Sequence, residues 1–194
     1  AEFSVAGSMR EKFSFVRGHN MAKSGLEMAL LDWFGHSTRR PIAALLGATR
    51  EEIPTGISLG IEKRVEDLLD QVQRAVEKHY QRIKIKIKPG WDVDILTEVR
   101  RRFPVTPLMA DANSAYTLND AVHLKKLDSL ELTMIEQPLD YDDYVDHARL
   151  QKELKTAICL DESIKSPADG RKAIELGSCR IINIKQSRVG GPFA

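Results

Sequence analysis

Two cysteines, a net charge of only +1 and the absence of a long apolar run set the first limits on this 194-residue sequence. Cys159 and Cys179 are too few for a disulfide framework, and we interpret both as reduced, core-lining residues of a cytoplasmic protein. Acidic and basic residues are interspersed, so neither a nucleic acid nor a membrane surface is expected as the main partner. No apolar run approaches the roughly 20 residues that span a bilayer, and no signal peptide is recognisable.

Nucleotide-binding fingerprints and zinc-ligand spacings are also missing. The sequence contains neither a phosphate-binding loop nor a Gly-x-Gly-x-x-Gly pattern. Its histidines lack the close spacing of zinc ligands, so a solvated or helix-surface position is expected for each. These histidines are His19, His36, His79, His123 and His147.

A regular repeat is the main positive signal. Four short apolar runs each end in a charged residue, and these charged residues follow one another at intervals of 25, 25 and 24 positions. A further step of 25 back from the first reaches a lysine in an alternating Lys-Ile run. The five positions are Lys86, Asp111, Glu136, Asp161 and Lys185. A constant period of this size indicates one supersecondary unit repeated along the chain.

Each repeat is predicted to be a parallel βα unit, because amphipathic segments separate the apolar runs. These segments lie at residues 94–102, 118–127 and 144–154. The first two strands are predicted at residues 53–61 and 82–88, and four more strands end at the later charged positions. The predicted fold class is α/β, a (β/α) barrel of the TIM type, here an incomplete part-barrel with about six parallel βα units.

The length of the chain indicates that the barrel is incomplete. An eight-stranded barrel usually needs about 250 residues, so strands seven and eight are expected to be absent. The unpaired edges of an open sheet predict a homo-oligomer or an edge-paired assembly. Residues 1–9 resemble a cloning remnant, residues 10–52 form a helical lead-in, and residues 53–194 form the part-barrel. The lead-in helices are predicted at residues 21–34 and 41–46.

The charged strand ends are predicted to meet in one site. In a barrel of βα units, the carboxyl ends of the strands face a common mouth, where such barrels carry out chemistry. Because Asp111, Glu136 and Asp161 would repel one another without a cation, the site is expected to bind Mg²⁺ or Mn²⁺. Lys86 on one side and Lys185 on the other could then exchange a proton α to a substrate carboxylate.

The alternating lysines of strand two have two interpretations. Lys84 and Lys86 share one strand face, and lysines in this pattern also protect exposed edge strands. If the lysine face instead turns toward the barrel interior, burial would lower the lysine pKa and favour a neutral base.

Five short motifs carry a resemblance to a known family. They are Lys84-Ile-Lys86, Asp111-Ala-Asn113, Glu136-Gln-Pro138, Asp161-Glu-Ser163 and Asn183-Ile-Lys185, the last followed by Arg188-Val-Gly-Gly191. In this order and spacing, the sequence resembles the enolase superfamily, and within it the o-succinylbenzoate synthases and N-acylamino acid racemases. The resemblance extends from about residue 10 to residue 191, and it implies that residues 10–52 are the end of a capping region.

The resemblance also implies roles for individual residues. The implied Mg²⁺ ligands are Asp111, Glu136 and Asp161. Lys86 and Lys185 would be the acid–base residues on opposite faces of the substrate, and Lys84 a supporting cation near the substrate carboxylate. Asn113, Glu162 and Asn183 are further candidates for supporting the metal ligands. Asn113 also fits an ordinary loop position, and Glu162 also fits a solvated residue that leads into a helix.

The implied reaction is removal of a proton α to a carboxylate through an enediolate. In the resembling family, this chemistry serves the dehydration that forms o-succinylbenzoate for menaquinone, or the racemisation of N-acylamino acids. The substrate would accordingly be a small carboxylate, the precursor of o-succinylbenzoate or an N-acylamino acid. Dipeptide epimerisation and muconate-type cycloisomerisation are the alternatives within the superfamily. A non-catalytic, self-associating barrel fragment is the alternative outside enzymes.

Overall fold

The computed structural model describes residues 11–193. The expected cloning remnant at residues 1–9 therefore lies outside the described residues. The chain divides into two compact units, the second containing residues 54–163 and 171–183 and the first containing the other described residues. The predicted extent of the part-barrel, residues 53–194, stays a prediction, since residues 164–170 and 184–193 group with the first unit.

Six parallel strands form one sheet in the second unit, in the order of the sequence. They are β1 (Gly56–Leu59), β2 (Arg82–Lys86), β3 (Leu108–Asp111), β4 (Met134–Glu136), β5 (Ile158–Leu160) and β6 (Ile181–Ile182). Parallel neighbours that are consecutive in the chain need a crossover connection, and a helical segment lies in each of the five connections. The predicted α/β fold with six parallel βα units is therefore confirmed.

Most helices lie where the apolar periodicity predicts them. The structure contains α1 (Asn20–Thr38), α2 (Ile42–Leu45), α3 (Val65–Glu77), α4 (Val93–Arg102), α5 (Ala121–Leu124), α6 (Val145–Glu153), α7 (Pro167–Leu176) and α8 (Gln186–Val189). None of these helices, within residues 11–193, has the length and apolar character needed to cross a membrane.

One predicted helix is broken into shorter pieces. The segment expected as a single helix at residues 118–127 consists of α5 flanked by two 3₁₀ segments, Leu118–Asp120 and Lys125–Leu130. A capping box holds the first of these turns, because the Asp120 carboxylate accepts hydrogen bonds from the main-chain N–H and hydroxyl of Thr117. Local side-chain bonding has therefore replaced the regular helical start that periodicity alone predicts.

The two faces of the sheet differ in chemistry. On one face the strand side chains are apolar and fully buried, and they include Ile83, Ile85, Leu108, Ile135, Ile158 and Leu160. The connecting helices contribute fully buried leucines of their own, such as Leu68, Leu96 and Leu150. The alternate side chains of the strands point to the opposite face, where Met109, Met134 and Cys159 form a buried cluster with Ile181. Met109, Met134 and Cys159 each lie two residues before the charged residue at the end of their strand.

Both cysteines are free, and Cys159 is buried. Burial is the main cause that raises the pKa of the Cys159 thiol far above its ordinary value. A thiol in this state stays protonated and behaves as a small apolar side chain. The expectation of a core-lining position is confirmed for Cys159, whereas Cys179 is only partly buried.

The first unit joins α1 to the segment after β6. The Asn20 side chain donates a hydrogen bond to the Arg188 carbonyl at 2.8 Å, and the Phe193 main-chain N–H donates to Oε2 of Glu27 at 3.3 Å. Gly191 has a φ of 132°, and a Cβ at this position would lie 1.7 Å from the same Glu27 oxygen. Gly191, the second glycine of the last motif, is therefore explained by close packing against the buried Glu27 side chain.

His147 is fully buried on α6, so the expectation of a solvated or surface position is wrong for this histidine. Its Nε2 accepts a hydrogen bond from the Leu139 main-chain N–H at 3.2 Å, which leaves Nδ1 to donate to the Asp143 carbonyl. Burial lowers the pKa of His147 and outweighs the opposing hydrogen bond to Asp143. The neutral ring thus anchors the loop that follows β4.

This burial predicts a pH-dependent stability. An unfolded histidine titrates near 6.5, and the folded pKa of His147 lies lower, so the unfolded state binds more protons as the pH falls. The free energy of unfolding should therefore decrease from pH 7 towards pH 5, by up to about 1.4 kcal/mol per pH unit for one proton. Urea denaturation at several pH values measures this slope. In His147→Gln the slope should be shallower, and an equal slope in the variant would contradict the assignment.

Candidate active site

The carboxyl ends of neighbouring strands bring charged residues onto one face of the sheet. Lys86, Asp111 and Glu136 are the last residues of β2, β3 and β4. Lys86 is the register partner of Asp111, and Asp111 is the register partner of Glu136. Asp161 directly follows β5. The three carboxylate residues are buried, with 3% of the surface of Asp111 and 1% of that of Glu136 and Asp161 exposed.

Lys84 supplies a positive charge to two of these carboxylates. Its Nζ lies 2.9 Å from Oε2 of Glu136 and 3.2 Å from Oδ2 of Asp111. Burial alone would lower the Lys84 pKa, but hydrogen bonds and charge attraction from Glu136 and Asp111 outweigh it and raise this pKa. The expectation that burial lowers the pKa of the strand-two lysines is therefore wrong for Lys84, which stays charged at neutral pH.

Lys86 is more exposed and has a different set of contacts. Its side chain is 42% exposed, its Nζ lies 3.7 Å from Oδ2 of Asp111, and it donates a hydrogen bond to Oδ1 of Asn113. The Asn113 amide in turn donates to Oε1 of Glu162 at 2.9 Å. The other Glu162 oxygen, Oε2, is buried and has no hydrogen-bond partner within residues 11–193. Of the two supporting candidates named from the sequence, Asn113 contacts the predicted base Lys86, and Glu162 contacts Asn113.

Asn183, the third supporting candidate, contacts Glu136. Its side-chain amide donates to Oε1 of Glu136 at 2.9 Å, while Lys84 binds the other oxygen of the same carboxylate. Both oxygens of Glu136 are therefore held by protein groups. Lys84, Glu136 and Asn183 also line a cavity of 460 Å³ on the interior face of the sheet.

Lys185 belongs to the first unit. It precedes α8, and its main-chain carbonyl accepts hydrogen bonds from the N–H groups of Arg188 at 2.9 Å and Val189 at 3.2 Å. In the sequence it lies three residues beyond Ile182, the last residue of β6. Its role as the second acid–base residue stays a prediction.

The residue types at the strand ends fit a hard divalent cation, since three buried carboxylates supply oxygen ligands and an excess of negative charge. The positions of the described side chains, in contrast, do not form a metal-binding group. Within residues 11–193, no three His, Cys, Asp or Glu side chains lie close enough together to hold a metal ion. The Lys84 ammonium instead lies between Asp111 and Glu136. The types of residue therefore fit a divalent cation. In this structure the Lys84 ammonium supplies the positive charge beside Asp111 and Glu136.

Sequence reasoning missed Gln137, which follows Glu136 and is completely buried. Its side chain binds the main chain at the end of β5. The available signal was the polar residue inside Glu136-Gln-Pro138, because a glutamine directly after a buried strand needs partners for both ends of its amide.

A second polar cluster was also missed. Asp92 is buried, and its Oδ2 accepts hydrogen bonds from the Tyr116 hydroxyl at 2.8 Å and interacts with Nε2 of His123 at 2.9 Å. Burial, followed by the Asp92 carboxylate, raises the pKa of Tyr116 well above its ordinary value. The cluster links the loop after β2 to the loop after β3, and thereby fixes two of the loops beside the charged strand ends.

Comparison with known proteins shows the family to which the chain is similar. The model for the Enolase C-terminal domain-like family matches residues 67–193. An o-succinylbenzoate synthase from Geobacillus kaustophilus is 59% identical over 181 residues, which are 93% of this chain and 48% of that protein. An N-succinylamino acid racemase from Thermus thermophilus is 52% identical over 184 residues, covering 95% of this chain and 50% of the relative.

Solved structures agree with these relatives. A crystal structure from Enterococcus faecalis V583, described as an unknown member of the enolase superfamily, superposes with a TM-score of 0.89 at 52% identity and covers 96% of this chain and 50% of its own. A Streptomyces coelicolor racemase with bound magnesium gives a TM-score of 0.85 at 28% identity, covering 98% of this chain and 56% of its own.

This chain belongs to the Enolase C-terminal domain-like family, and the predicted resemblance to the enolase superfamily is confirmed. The chain spans about half the length of the relatives it matches. Its six βα units are accordingly a part of the TIM-type barrel of that superfamily.

The contacts of Lys84 predict a large effect on stability. In Lys84→Met, Asp111 and Glu136 would be left as buried carboxylates without their countercharge, and the free energy of unfolding at pH 7 should fall by about 3 kcal/mol. Urea denaturation measures this loss. The matched control is Lys88→Met, at an exposed lysine on the same face, which should change stability by about 0.5 kcal/mol or less.

A second substitution makes the cause of that loss specific. If Lys84→Met exposes carboxylate repulsion, then adding Glu136→Gln in the same chain should recover part of the lost stability. Equal losses in Lys84→Met and Lys88→Met, or no recovery in the double variant, would contradict the ion-pair interpretation.

Proposed function

We propose that this chain forms the carboxylate-bearing part of an enzyme that removes a proton α to a substrate carboxylate. The observation that carries the proposal is the set of three buried carboxylates, Asp111, Glu136 and Asp161, at adjacent strand ends beside two lysines. Relatives at 52% to 59% identity are named o-succinylbenzoate synthase and N-succinylamino acid racemase. The proposed substrate is accordingly a small carboxylate, the precursor of o-succinylbenzoate or an N-acylamino acid.

Asp111, Glu136 and Asp161 would hold Mg²⁺, or Mn²⁺ in its place. The bound cation would supply the positive charge that stabilises negative charge developing on the substrate carboxylate. Support for this assignment comes from the oxygen-only donor set, from the burial of all three carboxylates and from the magnesium in the racemase structure. Lys84 would keep the carboxylate cluster near neutrality and lie close to the substrate carboxylate.

Lys86 would be the base that takes the α-proton. Its partial exposure leaves Nζ accessible to substrate, and its hydrogen bond to Asn113 restricts the side chain to one direction. Removal of the proton leaves an enediolate. Return of a proton from the opposite face by Lys185 would give racemisation. Breaking of a β-carbon–hydroxyl bond, with the proton held by Lys86 passing to the leaving oxygen to form water, would give dehydration.

The proposed compartment and assembly rest on the cysteines and on the edges of the sheet. Free Cys159 and Cys179 support a reducing, cytoplasmic location. The edge strands β1 and β6 each pair with a single neighbour among the described strands, which supports self-association of the 194-residue chain.

Self-association can be checked directly by light scattering coupled to size-exclusion chromatography. The 194-residue chain should have a mass of at least twice 21.8 kDa at high concentration, because exposed parallel edges favour pairing. A monodisperse monomer over the whole concentration range would contradict edge pairing.

Proton exchange in D₂O tests the proposed chemistry. An N-succinyl amino acid incubated with the chain and Mg²⁺ should lose its α-proton signal in the proton NMR spectrum, and a chelator should stop the loss. Lys86→Ala should slow the exchange by about 100-fold or more, because a positioned base typically contributes that much. Lys88→Ala, at the exposed lysine on the same face, is the matched control and should exchange at the original rate.

A full-length relative under the same conditions shows that the assay works. Muconate and a dipeptide in parallel samples distinguish the other reactions of the superfamily. Unchanged exchange in both Lys86→Ala and Asp111→Asn would rule out the proposed mechanism.

A further inference from the structure

Gln137 has a backbone conformation that needs an explanation. It lies directly after Glu136, it is completely buried, and its φ is 40°. A side chain other than glycine is uncommon in this left-handed region. Such a conformation persists only where the surrounding structure holds it in place.

The main chain of Gln137 contacts both neighbouring strands. Its N–H donates to the Cys159 carbonyl at 2.8 Å, which continues the ladder between β4 and β5. Its carbonyl does not continue that ladder and instead accepts from the Ser114 N–H at 2.8 Å, in the loop after β3. In a regular parallel ladder this carbonyl would accept the next N–H of β5, that of Asp161.

The side chain of Gln137 takes over the missing ladder bond. Its Oε1 accepts from the main-chain N–H of Asp161 at 3.0 Å and from that of Ser163 at 3.3 Å. Its Nε2 donates to Oγ of Ser163 at 2.8 Å, and to the carbonyls of Leu139 and Asp140 at 3.4 Å and 3.3 Å. Both ends of the buried amide therefore have partners, and each partner belongs to the end of β5 or to the loop after β4.

The geometry points to Gln137 as the positioning residue of the carboxylate site. Through its main chain it holds the loop after β3, and through its amide it fixes the main chain of Asp161 beside Glu136. One residue thus sets the relative positions of the strand ends that carry the three carboxylates. The inference rests on the proposed function, since it concerns the same site.

Gln151 offers a matched control in the same chain. It is also a buried glutamine, and its Oε1 accepts from the Ile158 N–H at 2.7 Å while its Nε2 donates to the Thr156 carbonyl at 3.1 Å. Ile158 is the first residue of β5. Gln151 therefore makes the same kind of contact at the opposite end of the strand, away from the carboxylates.

The test compares Gln137→Met with Gln151→Met, because methionine keeps the length of the side chain and removes the amide. Two measurements are made on the 194-residue chain, hydrogen exchange of individual amides by NMR and Mn²⁺ affinity by electron paramagnetic resonance. In Gln137→Met the protection of the Asp161 and Ser163 amides, relative to core amides, should fall at least about tenfold. Mn²⁺ affinity should weaken by about 10-fold to 100-fold.

Gln151→Met should lower overall stability while leaving the relative protection of Asp161 and the Mn²⁺ affinity within about twofold of the original values. Unchanged protection of Asp161 in Gln137→Met, or an equal loss in both variants, would overturn the inference. If the unsubstituted chain binds no Mn²⁺, the proposed metal function fails, and amide exchange still decides the positioning role.

Ser163→Ala provides a milder variant in case Gln137→Met does not fold. It removes the hydroxyl that accepts the shortest bond of the Gln137 amide, so the protection of the Asp161 amide should fall by about threefold. Protection that stays at the original value in Ser163→Ala would then overturn the inference.

Discussion

Three carboxylates buried at adjacent strand ends are the constraint on which the rest of the site depends. Removing a carboxylate from water is costly unless positive charge or hydrogen-bond donors replace the lost hydration. The structure supplies Lys84 to Asp111 and Glu136, and it supplies the Asn183 amide to the second oxygen of Glu136. The same need for positive charge makes the site suited to a divalent cation. The negative charge of the carboxylates is unfavourable for folding, and in the proposed function it binds that cation.

The sheet tolerates this concentration of charge because one of its faces is apolar and stabilises the fold, while the other bears the charged residues. One face is a continuous apolar layer of completely buried strand and helix side chains, which stabilises the fold through loss of apolar surface from water. The alternate face begins with the cluster of Met109, Met134 and Cys159 and ends in charge. Since successive strand residues point to opposite faces, a displacement of one residue in β2, β3 or β4 would move its charged end into the apolar layer.

Beyond the strand ends, side chains rather than the ladder control the main chain. Asn113 and Gln137 both have positive φ values, 42° and 40°, at the point where β3 and β4 turn into their loops. Each uses its amide to bind a neighbouring segment, Asn113 to Lys86 and Glu162, and Gln137 to the end of β5. His147 holds the next part of the loop after β4 by accepting a hydrogen bond from the Leu139 main-chain N–H. The loops around the site are thus held by partnered polar groups, of which Gln137 and His147 are completely buried, and these contacts fix positions where regular pairing has ended.

The sequence alone determined the repeat, the number of βα units, the family resemblance and the positions of the charged strand ends, because the spacing of apolar runs and the motifs that end them can be read directly along the chain. It could not determine which polar group meets which. Four of the contacts that the structure reveals join residues between 8 and 52 positions apart, namely Lys84 with Glu136, Tyr116 with Asp92, Leu139 with His147 and Gln137 with Ser163. Hydrogen bonds and ion pairs form only when side chains on different strands and loops are placed to within a few tenths of an ångström. Only the packing of the sheet and its helices decides those positions.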